Sequence, residues 1–78
     1  MNDVYLTEKA NKRAKEEGIP EQDVIECVKF GKRKHIEQRD GEIRYAHILP
    51  TKYGVVMAVW TKRGGRKRVI TAYIVRRR

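Results

Sequence analysis

His35 and Glu37 stand two residues apart in the run KRKHIEQR, residues 32–39, which reads as a β-strand closed by a turn dipeptide. Alternation along a strand sends both side chains to one face. A histidine, a carboxylate and nearby arginines are what transesterification of RNA requires. One group takes the 2′-hydroxyl proton, one protonates the departing 5′-oxygen, and cations stabilise the charged phosphorane. Arg44, on the next strand, is such a cation. The plainer reading is that Glu37 only pairs with Arg44 and His35 is a solvated strand residue. Further on, Trp60 and Tyr73 fall among Lys62, Arg63, Arg66 and Lys67. Rings among cations make the surface on which single-stranded RNA stacks its bases and lays its phosphates. Capping a thin core, or forming a dimer contact, is the alternative use of the same two rings.

The other reactive residue types point inward. His47 is expected on the core side of its strand, in a structural role. Cys27 falls in the apolar stripe of a helix, where a cysteine is a small core residue rather than a nucleophile. No P-loop, GxGxxG, HExxH, nucleophile elbow or Cys/His metal spacing occurs. The chemistry expected here needs neither cofactor nor metal.

Two hairpins must position these residues. In residues 54–75, two β-rich runs flank Gly64-Gly65, a pair suited to a primed turn with positive φ at both centres. That turn pairs Arg63 with Arg66, Lys62 with Lys67, Trp60 with Val69, Ala58 with Thr71 and Val56 with Tyr73. The other face pairs Val59 with Ile70, Met57 with Ala72 and Val55 with Ile74; it is wholly apolar and reads as core. Asp40-Gly41 closes the earlier hairpin, strands 32–39 and 42–49. It sets Arg39 opposite Glu42 and Glu37 opposite Arg44, with Gln38–Ile43, Ile36–Tyr45, Lys34–His47 and Lys32–Leu49 on the core side.

Ahead of the hairpins lie two helices. Thr7 is an N-cap for residues 7–17, and Gly18 suits the left-handed position after the last turn. The apolar stripe of this helix, Leu6, Ala10 and Ala14, is thin, so a peripheral position is expected, with Lys9, Lys12, Arg13 and Lys15 solvated. The second helix, residues 20–30, opens with Glu21 and Asp23 at the positive end of its dipole and stops at Gly31. Its stripe of Val24, Ile25, Cys27 and Val28 is expected to cover the sheet. Residues 1–6 read as an apolar lead-in and residues 76–78 as a frayed basic tail. The expected fold is one α+β domain, two helices on one face of a four-stranded antiparallel meander. The face left open would carry Arg33, His35, Glu37, Arg44, Trp60, Lys62, Lys67 and Tyr73.

Charge narrows the partner. Residues 1–42 hold nine basic and ten acidic residues, a net of −1, whereas residues 43–78 hold ten basic and none acidic, +10. Such segregation favours a polyanion, nucleic acid ahead of an anionic membrane or an acidic protein. A thermophile-like charged surface is the alternative. One cysteine, no apolar run near the roughly 18 residues that span a bilayer and no signal-peptide core lead to the expectation of a soluble, cytoplasmic protein.

The residues also resemble a family. TEKANKRAKEEGIPEQDVIECVKFG is similar to the opening of small toxin-like domains whose first helix reads T-x-H-A-x-x-R before a G-I-S/P-x-x-D/E-V helix start. Thr7, Ala10, Arg13, Gly18, Ile19, Asp23 and Val24 fit it. WTKRGGRKRVITAY resembles the last hairpin of the same domains and of BrnT-type ribonuclease toxins of the RelE-like fold. The resemblance implies an RNA-cleaving toxin paired with a small antitoxin, with Arg68 and Tyr73 as phosphate-contacting and active-site positions. Lys9 and Glu17 depart from the histidine and the basic residue of the pattern, and Tyr73-Ile74-Val75 from the basic last strand of the BrnT type.

The expectation is therefore an RNA-binding, metal-independent endoribonuclease. Arg44, Arg68 and Lys67 would hold phosphate, with Arg33, Lys62, Arg63 and Arg66 extending the basic surface. Trp60 and Tyr73 would place bases, and His35 with Glu37 would move protons. A non-catalytic nucleic-acid-binding module, or a protein that occupies a nucleic-acid site on a partner, shares the same features.

Overall fold

The hydroxyl of Thr7 accepts the Ala10 backbone N–H at 3.0 Å and starts the first helix, α1, Glu8–Glu17. Gly18 ends it in the left-handed region at φ 76°, a conformation that glycine adopts without steric cost. The second helix, α2, spans Glu21–Phe30 and stops at Gly31 for a different reason. A Cβ on Gly31 would run into the carbonyl oxygens of Cys27 and Ile48, so the chain can turn there only with glycine. The computed structural model describes residues 3–77.

The strands are β1, Val4–Leu6; β2, Lys32–Arg39; β3, Glu42–Thr51; β4, Gly54–Arg63; and β5, Arg66–Arg77. They form one mixed five-stranded sheet in the order β1-β5-β4-β3-β2. The expectation of four antiparallel strands is corrected here. Val4, Tyr5 and Leu6 pair in parallel with Lys67, Arg68 and Val69. Three residues are too few to show a period of two, and their partners lie at the other end of the chain. The basic tail is likewise strand as far as Arg77, with Arg76 opposite Val55 and Arg77 opposite Gly54. Arg78 lies outside the described residues.

Both hairpin turns have the expected chemistry, with φ 52° at Asp40, 77° at Gly41, 59° at Gly64 and 77° at Gly65. Near the turns the expected registers hold: Glu37 faces Arg44, Arg39 faces Glu42, Trp60 faces Val69 and Lys62 faces Lys67. Away from them, bulges shift the pairing. One between Arg33 and His35 puts Arg33, not Lys34, opposite His47 and sets Lys32 opposite Ile48. Another leaves Ile70 unpaired, so Val59 faces Thr71, Ala58 faces Ala72, Met57 faces Tyr73 and Val56 faces Ile74.

The second bulge reverses the expected core. With one extra residue in β5, Val69 and Ala72 come to the same face instead of opposite ones. The buried set is Val56, Ala58, Trp60, Val69 and Ala72, with Ile74 partly buried beside it. Val55, Met57 and Val59, expected as core, are only half-buried on the opposite face. Small residues at Ala58 and Ala72 let the helices approach closely. Ala10 and Ala14 of α1 are fully buried, as are Val24, Cys27 and Val28 of α2. The first helix is thus part of the core rather than peripheral. Among the described residues no helix is long and apolar enough to cross a membrane.

Candidate nucleic-acid interface

The helices cover one face of the sheet, and alternation sends every second side chain to the other. Glu37, Arg44, Thr61, Arg68 and Tyr5 stand in register across all five strands on this open face. One row further from the hairpin turns come His35, Ala46, Val59 and Thr71, and beyond them Ile48, Met57 and Tyr73. His35, Glu37, Arg44 and Tyr73 line one pocket of about 350 Å³ whose floor is Ala46, Met57 and Val59. That volume is at the lower end for a small-ligand site. Three polar side chains approach from β2 and β3, and Tyr73 faces them from β5.

The contacts inside the site differ from the expected cross-strand ion pairs. Arg44 turns along its own strand, and its Nε and Nη2 both meet Glu42 Oε2 at 3.4 Å. Glu37 meets Arg39 Nε at 3.8 Å, and its side chain stays 44% exposed. The Glu37 carboxylate is therefore open to the pocket, with only an exposed ion pair of small energetic weight beside it. The Tyr73 hydroxyl donates to Met57 Sδ at 3.2 Å. Above the Tyr73 ring, at 5.3 Å, lies the guanidinium of Arg13. It reaches there from α1 around the part of β5 that β1 leaves unpaired. Arg63 meets Glu42 at 3.6 Å, and the Arg66 guanidinium lies 4.3 Å over the Tyr5 ring. The turn end of the open face is thus a field of arginines, Arg39, Arg44, Arg63, Arg66 and Arg68, set against Glu37 and Glu42.

Four residues expected on this face are on the other. Trp60 is 3% exposed beneath the helices. Its ring stacks on Tyr45 with centroids 4.4 Å apart at 23°. The Arg33 guanidinium lies 4.7 Å over Tyr45 and Lys67 Nζ lies 5.2 Å over Trp60. Lys62, opposite Lys67, shares that side of the sheet. The result is a ribbon of cation, ring, ring and cation across β2, β3, β4 and β5. Arg33 and Trp60 come from the strands on either side of β3, so both faces of Tyr45 are covered.

His47 and Cys27 lie on the helix side, as their positions implied. His47 Nε2 accepts Arg33 Nε at 3.4 Å, and its Nδ1 is buried without a geometrically sound partner. Burial first, and then the Arg33 charge, lower the imidazole pKa, while the carbonyls of Cys27 and Val28 oppose the shift. The Cys27 thiol, pushed up by burial to about 11, points its Sγ at the carbonyls of His47 and Val56 at 3.2 and 3.6 Å. It is no nucleophile at neutral pH. Among the described residues no cluster of three His, Cys, Asp or Glu side chains fits a metal ion.

Comparisons with protein-family models, with curated proteins and with solved structures find no match. The open face is where the reactive side chains and the arginines gather. The sequence reading missed Tyr5, Arg13, Arg39 and Thr61 there. Tyr5 needed the short parallel strand, and Arg13 needed the packing of α1 at the strand edge. Arg39 carried a signal, since it shares strand parity with His35 and Glu37, whereas Thr61 has the parity of the β4 residues read as core.

Proposed function

We propose that this protein binds single-stranded RNA on the open sheet face and cleaves it there without metal, as an endoribonuclease of the RelE/BrnT-like toxin type. The observation that carries the reading is the convergence of His35, Glu37, Arg44 and Tyr73 on one apolar-floored pocket. Alternate residues of a strand are about 6.6 Å apart, enough to place His35 and Glu37 on either side of one phosphate. Glu37 takes the 2′-hydroxyl proton, and the 2′-oxygen attacks phosphorus. The bond to the 5′-oxygen breaks, and His35 gives that oxygen a proton. The products are a 2′,3′-cyclic phosphate and a free 5′-hydroxyl. Arg44 and Arg68 stabilise the phosphorane, and the turn arginines carry the flanking phosphates. Tyr73, backed by Met57, supplies the ring against which a base rests.

The test is incubation of purified protein with a mixed single-stranded RNA in EDTA, with products resolved on a gel beside a binding titration at two salt concentrations. Fragments ending in cyclic phosphate are expected, with cleavage reduced roughly 100-fold or more in Glu37→Gln and His35→Ala. Salt-sensitive binding that leaves the RNA intact would move the function to a non-catalytic binding module. Cleavage unaffected by these variants would remove the site from the open face.

A further inference from the structure

The two sides of this sheet are equipped for different partners. On the helix side, neither α1 nor α2 reaches the turn end of β2 and β3. Ile36 is 52% exposed there and Ile43 45%. Ile36 faces Tyr45, and Ile43 sits diagonally across from Ile36 on the adjoining strand. Positions in that relation are neighbours on one face of the sheet. Ile43 and Tyr45 continue into a groove of about 530 Å³ between the two hairpin turns, with Lys62 and Arg63 on its far wall. Isolated exposed apolar residues are ordinary, but an adjoining pair that opens into a groove is a contact surface.

Three features narrow the occupant. The Tyr45 ring is covered on both faces and Trp60 is buried, so no ring is left for a nucleic-acid base to stack on. The surrounding charge is positive: β2 carries Lys32, Arg33, Lys34 and Arg39 against Glu37 alone, and Lys62 and Lys67 stand on the same side of the sheet. Asp40 and Glu42 are the acids at the groove, and Glu42 is already engaged by Arg44 and Arg63. Finally, β2 is an outer strand of the sheet, its backbone available on one side. Pairing with the same strand of a second copy would set like charge against like charge, a common guard on exposed edges.

We propose that the outer edge of β2, with Ile36 exposed beside it on the helix side, is a docking site for an acidic, amphipathic, extended segment of another protein. The segment adds as a strand along the stretch from His35 to Arg39, beyond the bulge. Backbone hydrogen bonds give affinity, and alternate side chains give selectivity. Its apolar side chains rest on Ile36 and reach toward Ile43, while its carboxylates meet the cations that β2 itself carries, Lys32, Arg33, Lys34 and Arg39. This site does not depend on the RNA reading, because Ile36 and Ile43 are on the side of the sheet opposite His35, Glu37 and Tyr73.

The probe is a short synthetic peptide alternating leucine and glutamate, titrated into isotope-labelled protein and followed by backbone NMR. Amide shifts are expected at Ile36, Gln38, Ile43 and Tyr45, with new exchange protection along the outer edge of β2. Affinity should fall at least about tenfold in Ile36→Glu, a substitution at an exposed position that leaves the fold intact, and should weaken with salt. A leucine–lysine peptide should not bind. Shifts centred on Tyr73, equal binding of the lysine peptide, or no shifts at millimolar peptide would each overturn the proposal. Displacement of the peptide by a short single-stranded RNA would also overturn it.

Discussion

The ring of Tyr45 lies on that of Trp60 with centroids 4.4 Å apart, and this contact ties β3 to β4 beneath the helices. Trp60 therefore works for stability and not for ligand binding. Replacing a buried tryptophan by alanine removes a large apolar area and leaves a cavity, at a cost of about 3–5 kcal/mol. That is a large share of the stability of a domain this small, so Trp60→Ala is expected to be largely unfolded. Trp60→Phe keeps part of the stack and should fold with a lower urea midpoint. Its RNA affinity should equal that of wild type. A folded Trp60→Phe protein with weakened RNA binding would return Trp60 to the binding surface.

A second pairing explains how the open edge of β5 is closed. Glu17 Oε1 accepts the Ile74 backbone N–H at 3.0 Å, and Arg13 and Arg77 approach the same carboxylate at 3.8 Å. The chain thus uses a helix side chain where β1 is too short to supply a strand. Glu17→Ala returns this N–H to water at a cost of about 0.5–1.5 kcal/mol. Hydrogen exchange at Ile74 should accelerate far more than exchange at Val69, which lies in the part of β5 that β1 covers. Equal acceleration at both positions would show global destabilisation instead of an opened edge.

What the sequence made legible, and what it hid, follows from the range of each interaction. The Thr7 cap, the Gly18 stop and the Asp40-Gly41 and Gly64-Gly65 turns are written in a few adjacent residues, and each is found where expected. Registers counted outward from the turns hold until a bulge intervenes. Glu37 and Arg44 lie inside that range and share the open face, as expected. Trp60 and Tyr73 lie on either side of the Ile70 bulge, so strict alternation assigned one face to two residues that point to opposite ones. Nothing local marks that bulge. With it, Val56, Ala58 and Trp60 of β4 meet the helices together with Val69 and Ala72 of β5. The pairing of Val4–Leu6 was hidden for the same reason, since its partner strand is remote in the chain.

The environment of Cys27 predicts an inert thiol. Its side chain is fully buried, the thiol is pushed up to about 11, and Sγ is directed at two carbonyl oxygens. Only the thiolate reacts with an electrophile. In native buffer at pH 8, modification by a disulfide reagent should proceed at the rate of global opening, and it should be immediate in denaturant. Fast labelling of the folded protein would show that the packing of α2 on the sheet opens locally.

The environment of His47 predicts a pH-dependent stability with a definite sign. Its folded-state pKa is lowered from 6.5 by burial and by the adjacent Arg33 charge. Between that lowered value and 6.5 the unfolded chain holds a proton that the folded chain does not, so acid favours unfolding. Stability should therefore be flat above neutral pH, decline as pH falls through 6.5, and level off below the folded-state pKa as far as this residue is concerned. The slope contributed by one proton is at most about 1.4 kcal/mol per pH unit. Urea unfolding of wild type and His47→Gln between pH 7.5 and 5 reads the effect by difference, which removes the contribution of the carboxylates. The substitution should flatten the curve in that window. Arg33→Gln should raise the folded-state pKa back toward 6.5 by relieving the charge against the protonated ring, so the decline should be smaller and level off at higher pH. Parallel curves for wild type and His47→Gln would mean that His47 is as free to take up a proton in the folded protein as in the unfolded chain.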